Sequence, residues 1–167
     1  MLLFGDWPGH LVSISSPGAA KVSVPGWYSG RSLELVFRDT RDAQDSQAPN
    51  FRHVRQIEQF AEGIGENARV LVTCPGGSSR SAAVAILIMV ALGEPAKSAF
   101  SQLSSIHGFP TPNPVLLMSA CGQLDYGGAI MATWSQWLES AGLRPEYFRP
   151  LVSRLFGSAV GVSGTRR

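Results

Sequence analysis

One stretch of the chain, residues 70–93 (VLVTCPGGSSRSAAVAILIMVALG), limits the possible folds more than any other. Val70–Val72 is a short β-branched run, which predicts a strand buried on both faces. Five small residues follow Cys74, and an apolar run from Ser81 to about Leu92 then has the length of a core helix, too short to span a bilayer. The chain must therefore place one tight loop between the end of a strand and the start of a helix.

The small residues of this loop predict an anion site. The loop carries no large side chain, so successive backbone N–H groups can converge on one small anion. Arg80 opens the helix, where unpaired N–H groups and the macrodipole already favour negative charge. Its planar guanidinium can hold two oxygens of a phosphate. The predicted phosphate-binding residues are Gly76, Gly77, Ser78, Ser79 and Arg80.

Cys74 stands at the base of this predicted loop. A thiol that faces a ring of N–H donors, a helix N-terminus and an arginine is expected to have a lowered pKa and to exist as the thiolate. Beneath a bound phosphate, a thiolate is an in-line nucleophile. The alternative is a buried structural cysteine beside an unrelated arginine. The strand, the small-residue loop, Ser81 and the helix together favour the nucleophile.

A second polar segment supplies candidate acids. Residues 38–50 (RDTRDAQDSQAPN) have no periodicity and predict a loop. A thiolate attacking a phosphomonoester needs a proton donor for the departing oxygen. Asp39, Asp42 and Asp45 are the available carboxyl groups. From the residues alone, all three remain candidates, as does the alternative that they are solvated loop charges.

The segment from Thr73 to Ser81 resembles the signature of the cysteine-dependent protein tyrosine phosphatases, His-Cys-x5-Arg-Ser/Thr, and most closely their compact dual-specificity-like branch, found also in bacteria. Gly77 and the triplet Ser-Arg-Ser at 79–81 match that branch, and the step Pro112-Asn113 matches a step usual in its bacterial members. The resemblance covers about residues 11–128. Thr73 departs from it, because the family has histidine there.

The resemblance implies phosphomonoester hydrolysis through a phosphocysteine on Cys74, without metal or cofactor. Arg80 would clamp the phosphate, and Ser81 would stabilise the departing thiolate. The resemblance also implies that Asp39, within the pair Asp-Thr, is the general acid, with Asp42 as the second choice. The implied substrate is a phosphorylated protein, through phosphotyrosine or with dual specificity, or a small phosphomonoester. Inositol phospholipids are disfavoured because the loop interior has no lysine or arginine.

Two other classes of function stay open. The first is a catalytically weak phosphate-binding module, a pseudophosphatase, because Thr73 replaces the histidine. The second is a rhodanese-like sulfurtransferase, which also uses a cysteine on a small-residue loop ahead of a helix. The opening Arg80-Ser81 and the loop that carries the aspartates argue against the sulfurtransferase.

Strand and helix patterns alternate along the rest of the chain and predict one three-layer α/β domain with a small central, largely parallel sheet flanked by helices. We expect a core over about residues 10–141 and a C-terminal helical tail over 142–167. Besides the strand at Val70, the predicted strands are His10–Ser15, Lys21–Val24 and Leu33–Phe37. Five further helices are predicted. The first begins at Asn50 or Phe51, the second runs from Pro95 to Ile106, and the third, amphipathic over Val115–Leu124, follows the N-cap Asn113. The last two cover Ala129–Ala141 and Tyr147–Phe156.

The composition of the chain limits the cellular compartment and the kinds of partner that we expect. At 167 residues and 44% apolar, the chain is long enough for a core without disulfides, and its net charge of +2 does not favour nucleic acid. Twelve of its fourteen basic residues are arginines, a bias that suits phosphate recognition but that high genomic GC content also produces. The N-terminal residues lack a signal-peptide pattern, so we expect a cytoplasmic protein with no membrane partner. Cys121 is interpreted as a core residue, with a resolving thiol for Cys74 as the alternative.

Overall fold

The computed structural model describes residues 9–20, 24, 28–65, 68–108, 110–122, 124–140 and 142. These residues form three strands and five helices. The strands are β1 (His10–Ser15), β2 (Arg31–Val36) and β3 (Val70–Thr73). The helices are α1 (Phe51–Ala61), α2 (Arg80–Ala91), α3 (Ala96–Ile106), α4 (Pro114–Cys121) and α5 (Gly127–Ser140).

The strands form a parallel sheet in the order β2-β1-β3. Val12 of β1 lies opposite Leu33 of β2 on one side and Val72 of β3 on the other. Because parallel strands end at the same edge of a sheet, this register brings the segments after Ser15, Val36 and Thr73 together. The predicted α/β class, with a small parallel sheet flanked by helices, is confirmed.

The prediction that β3 is buried on both faces is wrong. In the sheet of described residues β3 pairs with β1 alone, and Leu71 is 42% exposed. The central strand is β1, which is buried from Leu11 to Ser15. Its two serines gave it the alternating pattern of a half-exposed strand, whereas β3 lacks polar residues at its exposed position. Hydrophobicity alone therefore misassigned which strand is buried on both faces.

One hydrophobic core joins one face of the sheet to all five helices. Nearly every residue of α2 is buried, and α2 contacts α1, α3 and α4. This burial explains why the α2 sequence is apolar on every side instead of amphipathic. The largest fully buried side chains are Trp134, Phe37, Ile14, Leu35, Ile57, Ile86, Leu87, Leu116, Leu117 and Ile130.

Local capping signals located the start of α4 correctly. Asn113 is its N-cap, with its side chain accepting from the backbone N–H of Leu116, and Pro114 is its first residue. The predicted amphipathic character is wrong, because α4 packs against α1, α2 and α5 and is buried around most of its circumference. The helix also ends at Cys121, three residues before the predicted end at Leu124.

Two other helices differ in detail from the prediction. Helix α3 begins one residue later than expected, with Pro95 as its N-cap, and its last residue, Ile106, is 81% exposed. Helix α5 begins at Gly127, two residues before the predicted start at Ala129. A Cβ on Gly127 would clash with the backbone of Cys121 and Ala120, so only glycine permits this close approach of α4 and α5.

Two predicted elements lie largely or wholly outside the described residues. Of the strand predicted over Lys21–Val24 only Val24 is described, and the helix predicted over Tyr147–Phe156 lies wholly beyond residue 142. Within the part of the chain that the structure describes, no helix combines the length and the apolar character needed to cross a bilayer.

Candidate active site

The loop between β3 and α2 turns back on the end of β3. The backbone N–H of Gly77 donates to the carbonyl of Cys74 at 3.2 Å, and Gly77 has φ +67°. This left-handed conformation is readily adopted only by glycine. The turn places the cysteine side chain beside the amides of the loop and beside the first turn of α2.

Cys74 is half-buried, and its Sγ lies 3.3 Å from Oγ of Ser81. Burial acts to raise the pKa of the Cys74 thiol, because it disfavours the charged form. Hydrogen bonds from the Ser81 hydroxyl and from the backbone N–H groups of Ser81, Gly77 and Gly76 outweigh burial, so the net pKa is lowered. The thiol is therefore surrounded by donors that stabilise the thiolate.

Arg80, the first residue of α2, is only 5% exposed. Its Nη1 donates to the carbonyl of Phe37 at 3.1 Å and to Oγ of Ser16 at 3.0 Å, so the ends of β1 and β2 hold one side of the guanidinium. Its buried Nε has no hydrogen-bond partner among the described residues and lies 3.9 Å from Oδ2 of Asp39. A donor on the Nε side is thus available to an anion.

Asp39 follows β2 and reaches the loop. Its Oδ1 accepts from Oγ of Ser79 at 2.6 Å and from Nδ2 of Asn113 at 2.8 Å. The side chain remains 41% exposed, so it is open to solvent while two donors hold it. The structure therefore brings Asp39, Ser79 and Arg80 together, as parallel strand ends allow.

The other two candidate acids lie in local turns. Asp42 accepts the backbone N–H of Gln44, and Asp45 accepts that of Gln47 while pairing with Nη1 of Arg38 at 3.1 Å. In the described structure, neither carboxylate hydrogen-bonds the loop at residues 74–80. Both are turn-capping groups of the kind that Asx turns use.

Two residues that contact this site were not predicted from the sequence. Asn113 was assigned only a capping role, yet it binds Asp39, and its backbone N–H donates to the carbonyl of Ser79 at 3.1 Å. Ser16, which follows β1, had no predicted role, yet it anchors Arg80. The step Pro112-Asn113 was a signal for the first residue, whereas Ser16 had none, because its partner is 64 positions away in the chain.

The second cysteine has different surroundings. Cys121 is half-buried, and its Sγ lies 3.1 Å from the carbonyl of Gly127 and 3.5 Å from that of Leu117. Burial raises the pKa of Cys121 to about 11. It lies at the C-terminal end of α4, whereas the N-terminal end of that helix contacts the cysteine loop, and eight helical residues span about 12 Å. The described contacts of Cys121 therefore lie within α4 and at the start of α5, away from the Cys74 loop.

Taken together, a thiol of lowered pKa, backbone N–H donors, a buried guanidinium and a carboxylate converge at the carboxyl end of a parallel sheet. This arrangement forms a candidate oxyanion-binding site with Cys74 at its base. Among the residues described, no three histidine, cysteine, aspartate or glutamate side chains are grouped as metal ligands.

Comparison with known proteins finds a similar solved structure. No protein-family model matches the chain, and no curated protein sequence matches it. The chain is similar to the crystal structure of a mouse protein described as a dual specificity phosphatase complexed with zinc tungstate, with 19% identity over 83% of this chain and 77% of the mouse chain. The TM-score is 0.49. The case for a function therefore comes from the geometry of the site.

Proposed function

We propose that this chain is a cysteine-dependent phosphomonoester hydrolase that acts through a phosphocysteine intermediate. One observation carries the proposal: a cysteine of lowered pKa, a nearly fully buried arginine and a carboxylate surround a single small-residue loop. Each group has a role in phosphoryl transfer that it would lack in a purely structural cluster.

The hydrogen-bond donors of the loop and of Arg80 would bind the phosphate. The backbone N–H groups from Gly76 to Arg80 and the Nε side of the Arg80 guanidinium would hold the equatorial oxygens of the phosphoryl group. Burying a guanidinium costs several kcal/mol unless charge and hydrogen bonds compensate it. A bound phosphate dianion would supply that compensation more fully than Asp39 at 3.9 Å does.

The first step forms a sulfur–phosphorus bond as the phosphorus–oxygen bond of the ester breaks. The Cys74 thiolate attacks in line, and Asp39 gives its proton to the departing oxygen. In the second step Asp39 takes a proton from water, the water oxygen attacks phosphorus, and the sulfur leaves. The Ser81 hydroxyl, 3.3 Å from Sγ, would stabilise the thiolate that reforms.

The two alternative functions, a phosphate-binding module and a sulfurtransferase, receive less support from the contacts of the site. A catalytically weak binding module is motivated by Thr73, yet the pKa of Cys74 is lowered by hydrogen bonds that do not require a histidine. A sulfurtransferase needs no proton donor to a leaving alkoxide, whereas Asp39 is held beside Arg80. The proposal needs no metal or cofactor, because the thiolate is the nucleophile and Arg80 supplies the positive charge.

The proposed substrate is a phosphorylated protein, through phosphotyrosine or with dual specificity, or a small phosphomonoester. A reducing cytoplasm suits this chemistry, because it keeps the Cys74 thiol available. Neither nucleic acid nor a membrane surface is part of the proposal.

The test is hydrolysis of p-nitrophenyl phosphate in reducing buffer with EDTA. We expect Cys74→Ser to abolish turnover and Asp39→Asn to reduce it by about 10²–10⁴-fold, while Asp42→Asn stays within about twofold because its carboxylate caps a turn. Turnover that survives Cys74→Ser would overturn the proposal. Vanadate binding without turnover would identify the binding module, and sulfur transfer from thiosulfate to cyanide would identify the sulfurtransferase.

A further inference from the structure

Asn113 joins three segments around the candidate site. Its side chain is 1% exposed and makes three hydrogen bonds: Nδ2 donates to Oδ1 of Asp39 at 2.8 Å and to the carbonyl of Thr40 at 3.1 Å, and Oδ1 accepts from the N–H of Leu116 at 3.0 Å. Its backbone N–H donates to the carbonyl of Ser79. A single buried residue thus connects the aspartate loop, the cysteine loop and helix α4.

These partners determine the orientation of the Asn113 amide. An amide oxygen can only accept and an amide nitrogen can only donate. Because Leu116 offers an N–H, the Asn113 oxygen must face α4, and the nitrogen must therefore face Asp39 and the carbonyl of Thr40. The reversed orientation would place an acceptor against two acceptors and a donor against a donor.

The two oxygens of Asp39 differ as a result. Oδ1 already accepts from Asn113 and Ser79, so two donors occupy its acceptor positions. Oδ2 lies on the side of Arg80, 3.9 Å from Nε. A proton on Oδ1 would compete with those donors, whereas a proton on Oδ2 would not. Oδ2 is therefore the oxygen able to carry the proton toward the phosphate clamp.

We propose that Asn113 is a positioning residue for the general acid, holding Asp39 so that Oδ2 delivers the proton. The inference rests on the proposed function. Asp39 needs such support because its side chain is partly exposed on a loop, where it would otherwise sample several rotamers. A displacement of about 1 Å at a reacting group can cost about 10²-fold in rate.

The chain offers variants that separate positioning from helix capping. Asn113→Asp keeps an oxygen that can accept from Leu116, but it removes the Nδ2 donor and places a second carboxylate against Asp39. Asn113→Ser also keeps a capping oxygen, but its shorter side chain lacks the Nδ2 donor that reaches Asp39 and Thr40. Asn50→Asp is the matched control, because Asn50 caps α1 through the N–H of Arg52 and is not part of the site.

The readout is the dependence of kcat/KM on the leaving group. Phenyl phosphate requires a proton for its basic leaving oxygen, whereas 2,4-dinitrophenyl phosphate does not. We expect Asn113→Asp to lower kcat/KM for phenyl phosphate by about 10–100-fold and for the dinitrophenyl ester by no more than about threefold. The control Asn50→Asp is expected to leave both within about twofold.

Combining substitutions tests whether Asn113 acts through Asp39. In an Asp39→Asn background, Asn113→Asp is expected to add no more than about twofold on phenyl phosphate. Two results would overturn the inference. One is an equal loss of kcat/KM on both esters in Asn113→Asp, and the other is a loss in the Asp39→Asn background as large as in the natural chain. Should Asn113→Asp fail to fold, Asn113→Ser gives the same comparison. Turnover that does not depend on Cys74 would instead overturn the proposed function, so the two failures are distinguishable.

Discussion

The Sγ of Cys74 lies 3.3 Å from the Oγ of Ser81, so the last residue before the loop and the first turn of α2 share a hydrogen bond. We predict that Ser81→Ala raises the pKa of Cys74, because the hydroxyl is among the donors that lower it. The check is the pH dependence of alkylation by iodoacetamide in a Cys121→Ser background. The profile is expected to move to higher pH for Ser81→Ala, with exposed Ser135→Ala as the control. Identical profiles would contradict the prediction.

The anchored guanidinium leads to a prediction about anion binding. Arg80→Lys cannot both reach Phe37 and Ser16 and hold phosphate from another side, because lysine has one side-chain nitrogen where the planar guanidinium has three. A charge-assisted hydrogen bond contributes about 1.5–3 kcal/mol, so we expect vanadate affinity to fall by about 10–100-fold in calorimetric titration. Exposed Arg52→Lys is the control and should bind like the natural chain. Unchanged affinity in Arg80→Lys would place the anion elsewhere.

The protonation of His53 is expected to make the free energy of unfolding depend on pH. Burial lowers the pKa of His53 below its ordinary value of 6.5, although hydrogen bonds involving the backbone of Val36 and Asn50 act in the opposite direction. Its Nδ1 accepts from the N–H of Asn50 at 3.1 Å, and its Nε2 lies 3.3 Å from the carbonyl of Val36, so the neutral Nε2–H tautomer satisfies both.

Because the folded-state pKa is depressed, the contribution of His53 is fully present above about pH 6.5 and is lost as pH falls through the folded-state pKa. His53→Gln keeps one donor and one acceptor but does not titrate. Urea unfolding at pH 7.5 and pH 5.5 is therefore expected to show a smaller drop in unfolding free energy for His53→Gln than for the natural chain. Equal drops would show that His53 does not contribute.

Gly127 and Gly128 are adjacent, and replacing each of them with alanine tests the packing of α5 against α4. Gly127→Ala places a Cβ against the backbone of Cys121 and Ala120, and we expect a loss of about 1–3 kcal/mol in unfolding free energy. At Gly128 a Cβ meets open space within α5, so Gly128→Ala is expected to gain about 0.5–1 kcal/mol from helix propensity. Denaturant unfolding measures both, and a similar effect at the two positions would contradict the close approach of α4 and α5.

Several features were predictable because their causes are local. The unit from Val70 to Gly93 has a strand, a small-residue loop and a helix in succession, and β3 and α2 follow that order. The start of α4 follows from Asn113-Pro114, since an N-cap and the proline after it act within one turn. The candidate nucleophile and phosphate loop were identified from nine adjacent residues, and their catalytic roles stay predictions.

Features that depend on distant partners required the structure. The residues alone left Asp39, Asp42 and Asp45 open, and the family resemblance favoured Asp39. In the structure Asn113, 74 positions away, joins Asp39, while local turns hold the other two. The exposure of β3 likewise depends on which strands pair, and periodicity contains no information on pairing order.

By itself, the sequence determined the α/β class, the loop that carries Cys74 and the start of α4, because short-range sterics and capping control them. Only the tertiary structure decided which carboxylate faces Arg80, which strand is central and which helical positions are buried. Each of those outcomes depends on packing between segments far apart in the chain, and the same local pattern is compatible with more than one such packing.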